Sequence, residues 1–184
     1  MKKIFGRAWR GALLKKRAFQ EVYWDSDSTA DGVIVVAAVQ VVLLVASLVA
    51  ASFGVRQAGL ALATEWDQFL TALISAMIYG VAGWLILAGA SWLAATKIFK
   101  QNGTIQTMMA MHGLAYLPLL ATLLPFTAAD VLAIIWYLVV VVVATREAVE
   151  TDTKTAALSV LVGYGVLAIL ASIFGGVFSA IPVL

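Results

Sequence analysis

The chain has 184 residues, of which 63% are hydrophobic and only 12% are charged, with a formal net charge of +2. This composition and a mean hydropathy of +1.00 exclude a soluble globular domain, which needs more polar residues on its surface. Cysteine is absent, so disulfides, thiolate metal sites and cysteine nucleophiles are excluded as well.

Residues 1–27 are predicted to form a cytoplasmic amphipathic helix followed by a polar linker. At about 100° per residue, most apolar side chains fall on one side of this helix and most charged side chains on the other. Such a helix lies in the headgroup layer and gains from anionic lipids, although the same residues would also serve as a plain topology signal. Lys15 and Lys16 interrupt the apolar side, so they must snorkel or mark a bend. The side chains predicted to dock at the membrane surface or on a partner are Arg7, Trp9, Arg10, Lys15, Lys16 and Arg17.

Residues 28–184 are predicted to form one membrane domain of five transmembrane helices. A transmembrane helix needs about 20 predominantly apolar residues. The valine run Val139–Val143 would favour a strand in water, but a strand open to lipid leaves backbone groups without hydrogen bonds, so a helix is predicted. The predicted spans are about 32–53, 69–96, 105–124, 128–145 and 155–180.

The basic residues predict the orientation of these spans, because cytoplasmic loops are enriched in Lys and Arg. Eleven of the 12 Lys and Arg residues fall in the N-terminal segment, after the second span and after the fourth span; Arg56 is the exception. We therefore expect a bacterial cytoplasmic (inner) membrane protein with its N-terminus in the cytoplasm and its C-terminus in the periplasm or outside.

Three spans are preceded by a hydroxyl residue and, three positions later, by an acid. In this capping-box spacing the hydroxyl accepts a hydrogen bond from a free amide of the first helical turn, and the carboxylate favours the positive end of the helix dipole. The predicted capping pairs are Ser28 with Asp31, Thr64 with Asp67, and Thr127 with Asp130.

Small residues recur every fourth position in three spans, which predicts flat faces where helices approach closely. These faces are expected to pack the protein's own bundle, with an oligomer or partner surface as the alternative. They consist of Ala46, Ala50 and Gly54; Ala72, Ala76 and Gly80; and Ala168, Ser172, Gly176 and Ala180.

His112 and Tyr116 form a possible polar site inside the third span. His112 is the only histidine of the chain, and polar groups at that depth are costly and often functional. Pro118 is expected to kink the same helix. The plainer interpretation is a structural histidine that is hydrogen-bonded to a neighbouring helix.

No enzyme, metal site or cofactor is predicted. The alternation of Asp25, Asp27, Thr29 and Asp31 resembles the start of a calcium loop, but Ala30 stands at the position where that loop requires glycine. The spans contain no paired carboxylates, Ser/His pair or metal set with which an intramembrane hydrolase could work.

The layout also resembles a known family. The basic N-terminal segment GRAWRGALLKKRAFQEV, the linker DSDSTADG, the third-span end AYLPLLATLLP and the stretch IWYLVVVVVATREAVETDTKTAALSVLVGYG are similar to the bacterial branch of the Ypt-interacting protein (Yip) domain family. The resemblance covers nearly the whole chain. It implies five spans with the N-terminus inside and, for eukaryotic members, contacts with small GTPases and with one another in membrane trafficking.

Two functions remain open. The first is a non-enzymatic membrane interaction protein, in which the N-terminal segment and the loop from Thr145 to Thr155 dock another membrane protein or a second copy. The alternative is a small channel or transporter for a small solute or lipid, with a path near the third span. Nucleic acid is not expected as a partner, because the chain has no separate folded basic domain.

Overall fold

The computed structural model describes residues 2–25, 28–52, 66–124 and 128–179, and within these ranges it contains helices and turns but no strand. The α-helices in these ranges are α1 (Lys2–Ala12), α2 (Lys16–Tyr23), α3 (Ser28–Ser52), α4 (Trp66–Leu93), α5 (Ile105–Leu114), α6 (Ala129–Ala148) and α7 (Thr153–Ser179). A π-helical turn, Ala94–Ile98, extends α4, and a 3₁₀ segment, Leu117–Leu123, follows α5. The all-helical fold predicted from the sequence is confirmed for the described residues.

Four stretches of helix are long and apolar enough to cross a membrane, judged by length and composition within the described ranges. They correspond to the first, second, fourth and fifth predicted spans. These stretches are Ser28–Ala46, Leu73–Ile98, Ala129–Ala148 and Thr153–Ile173.

The third predicted span, 105–124, is not one continuous helix. α5 ends at Leu114, a turn follows at Ala115 and Tyr116, and Pro118 lies at the start of the 3₁₀ segment. Proline has no backbone N–H and its ring clashes with the preceding turn, so the α-helical hydrogen bonds stop here, as predicted. At rises of about 1.5 and 2.0 Å per residue, the two pieces together extend about 29 Å, close to the thickness of a hydrocarbon core.

Glycines allow the helices of the bundle to approach closely. A Cβ atom on Gly113 of α5 would lie 2.4 Å from the Cα atom of Gly32 in α3. α4 and α7 meet in the same way at Gly163, where a Cβ atom would lie 2.3 Å from Ser91 Oγ. Close packing of this kind replaces the hydrophobic effect as the force between helices in lipid. α5 lies between α3, α4 and α6 and forms the centre of the bundle.

Only some of the predicted small-residue positions pack inside the bundle. Gly80 is buried against the side chain of Gln40 in α3, whereas Ala168 and Ser172 of α7 are exposed. Ala46 is half-buried. The other members, Ala50, Gly54, Ala72, Ala76, Gly176 and Ala180, lie outside the residues whose side chains are described.

The N-terminal segment is a bent pair of helices. α1 and α2 pack against each other, and the turn at 13–15 that joins them contains Leu14 in a left-handed conformation with φ 56°. A bend was one of the two outcomes expected from Lys15 and Lys16. We call α1 and α2 together the N-terminal pair.

The N-terminal pair also contacts the membrane bundle, and this contact divides its apolar side chains. Both helices touch α5 and α6, and α1 also touches α3 and the 3₁₀ segment. Ala8 and Phe19 are fully buried by these contacts, whereas Trp9 is 61% exposed. The apolar face predicted as a single surface is therefore split between the bundle and the exterior.

Candidate functional site

A buried arginine connects the N-terminal pair to the bundle. The side chain of Arg7 is 4% exposed, with Nη2 2.7 Å from Asp25 Oδ2 and Nη1 2.9 Å from Asp31 Oδ2. Its Nε lies 3.6 Å from Glu21 Oε2 in α2. Burial by itself would lower the pKa of Arg7, but the hydrogen bonds and charges of Asp25 and Asp31 outweigh burial and leave the pKa raised. Arg7 therefore stays charged and holds α1, α2 and α3 together.

Two further contacts fix the end of α1. Arg10 forms a side-chain ion pair with Glu21 of α2. The indole Nε1 of Trp136 in α6 donates to the backbone oxygen of Ala12 at 2.8 Å, which satisfies one carbonyl at the C-terminus of α1. The structure thus places Arg7 and Arg10, both predicted to dock outward, in contacts within the protein.

The remaining predicted docking residues lie on the surface. Trp9, Lys15, Lys16 and Arg17 are all exposed. Arg17 approaches Glu21 at 3.4 Å, but its side chain is 85% exposed, so this pair contributes little to stability. These four side chains are accessible to a lipid or protein surface.

A cavity of about 470 Å³ lies between α2 and the end of α6. Its charged lining residues are Lys16 from α2 and Arg146, Glu147 and Glu150 from the end of α6 and the turn that follows. Two apolar lining residues, Phe19 and Met111, are fully buried. We call this space the charged cavity.

The charges of this cavity are only partly paired with one another. Arg146 Nη2 lies 2.7 Å from Glu147 Oε1, and Arg146 Nη1 donates to Thr153 Oγ1 at 3.5 Å. Lys16 and Glu150 take part in no ion pair with any described residue. The cavity therefore presents one cation and one anion that have no counterion among the residues described by the structure.

The position of Glu150 follows from the way α6 ends. The amide of Thr151 donates to the oxygen of Arg146 at 3.1 Å, and Glu150 has a left-handed φ of 50°. This is a Schellman helix end, in which the left-handed position is usually glycine. A glutamate at that position costs about 1 kcal/mol or more of backbone strain.

The helix caps differ in part from the prediction. α6 begins at Ala129 with Ala128 at the capping position and without a side-chain cap, and the predicted cap Thr127 lies outside the described residues. Asp31 binds Arg7, and Ser28 is the first residue of α3. Thr64 lies outside the described residues, and the side chain of Asp67 is not among those described. Asp130 is exposed near the start of α6.

Two caps occur that were not predicted. Thr104 Oγ1 accepts from the amide of Thr107 at 3.2 Å at the start of α5. Asp152 Oδ1 accepts from the amides of Lys154 and Thr155 at 2.8 and 3.0 Å at the start of α7. Hydrogen bonds from the Thr155 side chain and amide lower the pKa of Asp152. Both residues follow the rule that Thr and Asp accept from the first free amides of a helix.

Inside the bundle, His112 of α5 pairs with Thr145 of α6. His112 Nε2 and Thr145 Oγ1 are 2.8 Å apart, and both residues are buried. His112 Nδ1 has no hydrogen-bond partner among the described residues. The hydrogen bond that was expected between this histidine and a neighbouring helix is therefore present.

Tyr116 belongs to a tyrosine cluster one turn below His112. Its hydroxyl donates to the oxygen of Gly80 at 3.4 Å, and its ring meets the Tyr137 ring edge to face at 5.4 Å between centroids. A second cavity of about 360 Å³ is lined by these two tyrosines together with Tyr164 of α7. The sequence indicated Tyr116 because it lies near His112 and Pro118, whereas the other tyrosines could be recognised only as aromatic residues within apolar runs.

No metal centre is built from the described residues. No group of three or more His, Asp or Glu side chains there could hold a metal ion. Three features of the described residues remain as candidate functional sites. They are the charged cavity, the exposed surface of the N-terminal pair and the tyrosine-lined cavity inside the bundle.

Comparison with known proteins identifies a family. The Yip1 domain matches residues 12–175, which run from the end of α1 through most of α7. This match confirms the resemblance to the Yip domain family. No curated protein and no solved structure matches the chain significantly.

Proposed function

The chain belongs to the Yip1 domain family and is an integral membrane protein, and from this premise we propose that it is a non-enzymatic interaction protein of the bacterial cytoplasmic membrane. It acts as a scaffold, adaptor or accessory subunit. Its partners are the lipid bilayer, including anionic lipids, and other membrane proteins or further copies of the chain.

A topology of five crossings with a cytoplasmic N-terminus fits the positions of the charges. α5 and the 3₁₀ segment together are about as long as a bilayer core is thick. If they did not cross, Lys97 and Lys100 would lie on the opposite side of the membrane from Arg146. With this crossing, all three lie on the side of the basic N-terminal pair, as the positive-inside rule requires.

The observation that carries the docking function is the meeting of two distant segments at one surface. α2 and the turn after α6 were each expected to dock a partner, and both line the charged cavity. Arg7 fixes α2 beside the bundle through Asp25 and Asp31. The two segments therefore offer a single preformed surface, which lowers the ordering cost of binding.

Charge reversal at exposed residues on either side of Lys16, which lines the charged cavity, tests the docking function. Lys15→Glu combined with Arg17→Glu reverses two exposed charges of α2 and the preceding turn. The matched control, Lys97→Glu combined with Lys100→Glu, reverses two exposed charges elsewhere on the same side of the membrane. Tagged protein is purified from native membranes in mild detergent, and co-purifying proteins are quantified by mass spectrometry.

We expect a stoichiometric partner with the wild type and the control, and its loss with the reversal on the N-terminal pair. A wild-type chain that purifies without any stoichiometric protein, whether another protein or a further copy, would refute the docking function. Equal loss of the partner in both reversed variants would refute the location of the surface.

A second candidate function is a small channel or transporter for a small solute or lipid. The tyrosine-lined cavity favours it, because polar groups from several helices meet there beside the broken third span. Flux through protein reconstituted in liposomes tests this function. It predicts that Tyr116→Phe and His112→Ala reduce flux, whereas the docking function predicts no specific flux in the wild type.

A further inference from the structure

We propose that the charged cavity binds the headgroup of a zwitterionic phospholipid that carries a primary ammonium, as phosphatidylethanolamine does. Lys16 holds the phosphate, and Glu150 holds the ammonium. This inference requires the membrane position of α6 but not the docking of a protein partner. It therefore goes beyond the proposed function and can fail independently of it.

The end of the apolar stretch in α6 indicates that the cavity lies at the depth of the lipid headgroups. The apolar stretch of α6 ends at Thr145, and the charged lining residues begin at the next position, Arg146. Tyr23 and Trp24 line the same cavity and are 39% and 84% exposed, so an apolar surface adjoins the charged one. A ligand with a charged headgroup and apolar chains fits this arrangement of charged and apolar residues better than a fully polar solute does.

The charges favour a zwitterion over an anion. Arg146 and Glu147 are paired at 2.7 Å and cancel each other. Lys16 and Glu150 are the charges of the cavity that no described residue pairs. An anionic headgroup would satisfy Lys16 but would leave Glu150 facing a second negative charge. A zwitterionic headgroup satisfies both residues at once.

The aromatic residues at the cavity favour an ammonium. Tyr23 and Trp24 line it with their rings edge to face at 5.3 Å between centroids, and Trp24 is 84% exposed. The faces of aromatic rings attract organic cations. A primary ammonium can in addition donate hydrogen bonds to Glu150, which a quaternary choline cannot. The site should therefore select phosphatidylethanolamine over phosphatidylcholine.

Lipid retention by the full chain tests this assignment. The protein is reconstituted into vesicles of equal parts phosphatidylethanolamine, phosphatidylcholine and phosphatidylglycerol, extracted in mild detergent, and examined by native mass spectrometry. The variants are Lys16→Gln and Glu150→Gln, with Lys154→Gln as the matched control because Lys154 is exposed outside the cavity. Thermal unfolding in detergent first verifies that all variants fold.

We expect the wild type and the control to retain one phosphatidylethanolamine per chain. Each cavity variant should retain about tenfold less, the effect of losing one charge-assisted hydrogen bond. Glu150→Gln should in addition gain affinity for phosphatidylglycerol, because the repelling carboxylate is gone. Equal retention of the three lipids by the wild type, or unchanged retention in Glu150→Gln, would overturn the assignment.

Soluble phosphoethanolamine distinguishes a lipid from a free solute. Calorimetric titration of this compound into the delipidated protein should show no binding at concentrations at which the lipid is retained, because the solute has no acyl chains to lie against the apolar surface. Tight binding of the soluble compound would show that a free phosphoamine, not a lipid, is the ligand.

Discussion

Replacement of Arg7 by methionine should release the N-terminal pair from the bundle while the long helices remain folded. Methionine keeps part of the apolar stem of arginine but removes the charge that faces Asp25 and Asp31 at 2.7 and 2.9 Å. Each hydrogen bond between charged groups contributes about 1.5–3 kcal/mol. The two aspartates are 29% and 17% exposed, so water recovers part of this energy. We therefore expect a loss of about 2–4 kcal/mol in the free energy that holds the N-terminal pair closed.

Hydrogen exchange followed by mass spectrometry measures this loss. A change of about 2–4 kcal/mol raises the open population of the N-terminal pair about 30-fold to 1,000-fold. Exchange should accelerate by that factor in peptides from 2–25 and stay unchanged in α6 and α7. Arg17→Met is the matched control, because the side chain of Arg17 is 85% exposed and its removal should change little.

A second substitution tests whether charge is the cause. Adding Asp31→Asn to Arg7→Met removes the negative charge of Asp31, which faces Arg7 in the wild type, so protection in α1 and α2 should partly return. If Arg7→Met leaves exchange in α1 and α2 at the wild-type rate, the ion-pair cluster does not hold the N-terminal pair in place and the reasoning fails.

Three further predictions concern the bundle. Thr145→Val should destabilise the protein by about 1–3 kcal/mol in thermal unfolding, because buried His112 loses its hydrogen-bond partner. Thr145→Ser keeps the hydroxyl and should destabilise the protein less. Equal destabilisation by the two substitutions would contradict the hydrogen bond. Gly113→Ala should prevent normal packing, since its Cβ atom would lie 2.4 Å from α3, whereas Gly165→Ala meets nothing within 4 Å and should be tolerated. Asp152→Ala should fray the first turn of α7. Because hydrogen bonds lower the pKa of Asp152, its stabilisation is complete above the ordinary value of 3.8 and is lost as the pH falls through the lower folded value. The protection factor of that turn, which is the intrinsic exchange rate at each pH divided by the observed rate, should therefore fall in acid in the wild type but not in the variant.

The helices could be predicted from the sequence because a bilayer constrains each apolar segment separately. About 20 apolar residues in a row must satisfy their own backbone hydrogen bonds, and a helix is the way for one segment to do so. Pro118 likewise acts through its own missing N–H, so the break in the third span could be located from one residue. The bend in the N-terminal segment could be anticipated from two lysines on an apolar face.

The site could not be predicted to the same extent because it depends on distant pairs. Arg7 fell on the polar side of its helix, which indicates exposure if that helix is considered alone. Its carboxylate partners lie 18 and 24 residues away, and only the fold brings them into contact. The same holds for Tyr116 and Tyr137, which lie on separate elements. Helical periodicity predicts the direction in which a side chain points but not the residue that it contacts.

Disruption of the buried cluster around Arg7 should disturb the charged cavity, whereas disruption of the cavity should leave the cluster intact. α2 supplies Lys16 to the cavity and is held beside the bundle by Arg7, so release of the N-terminal pair by Arg7→Met should also abolish retention of phosphatidylethanolamine. Lys16 takes no part in the cluster, so Lys16→Gln should lose the lipid while exchange in α1 stays slow. If Lys16→Gln accelerated exchange in α1 as much as Arg7→Met does, the bound lipid itself would be holding the N-terminal pair in place. The cavity would then be part of the protein's fold in the membrane and not a site formed before the lipid arrives.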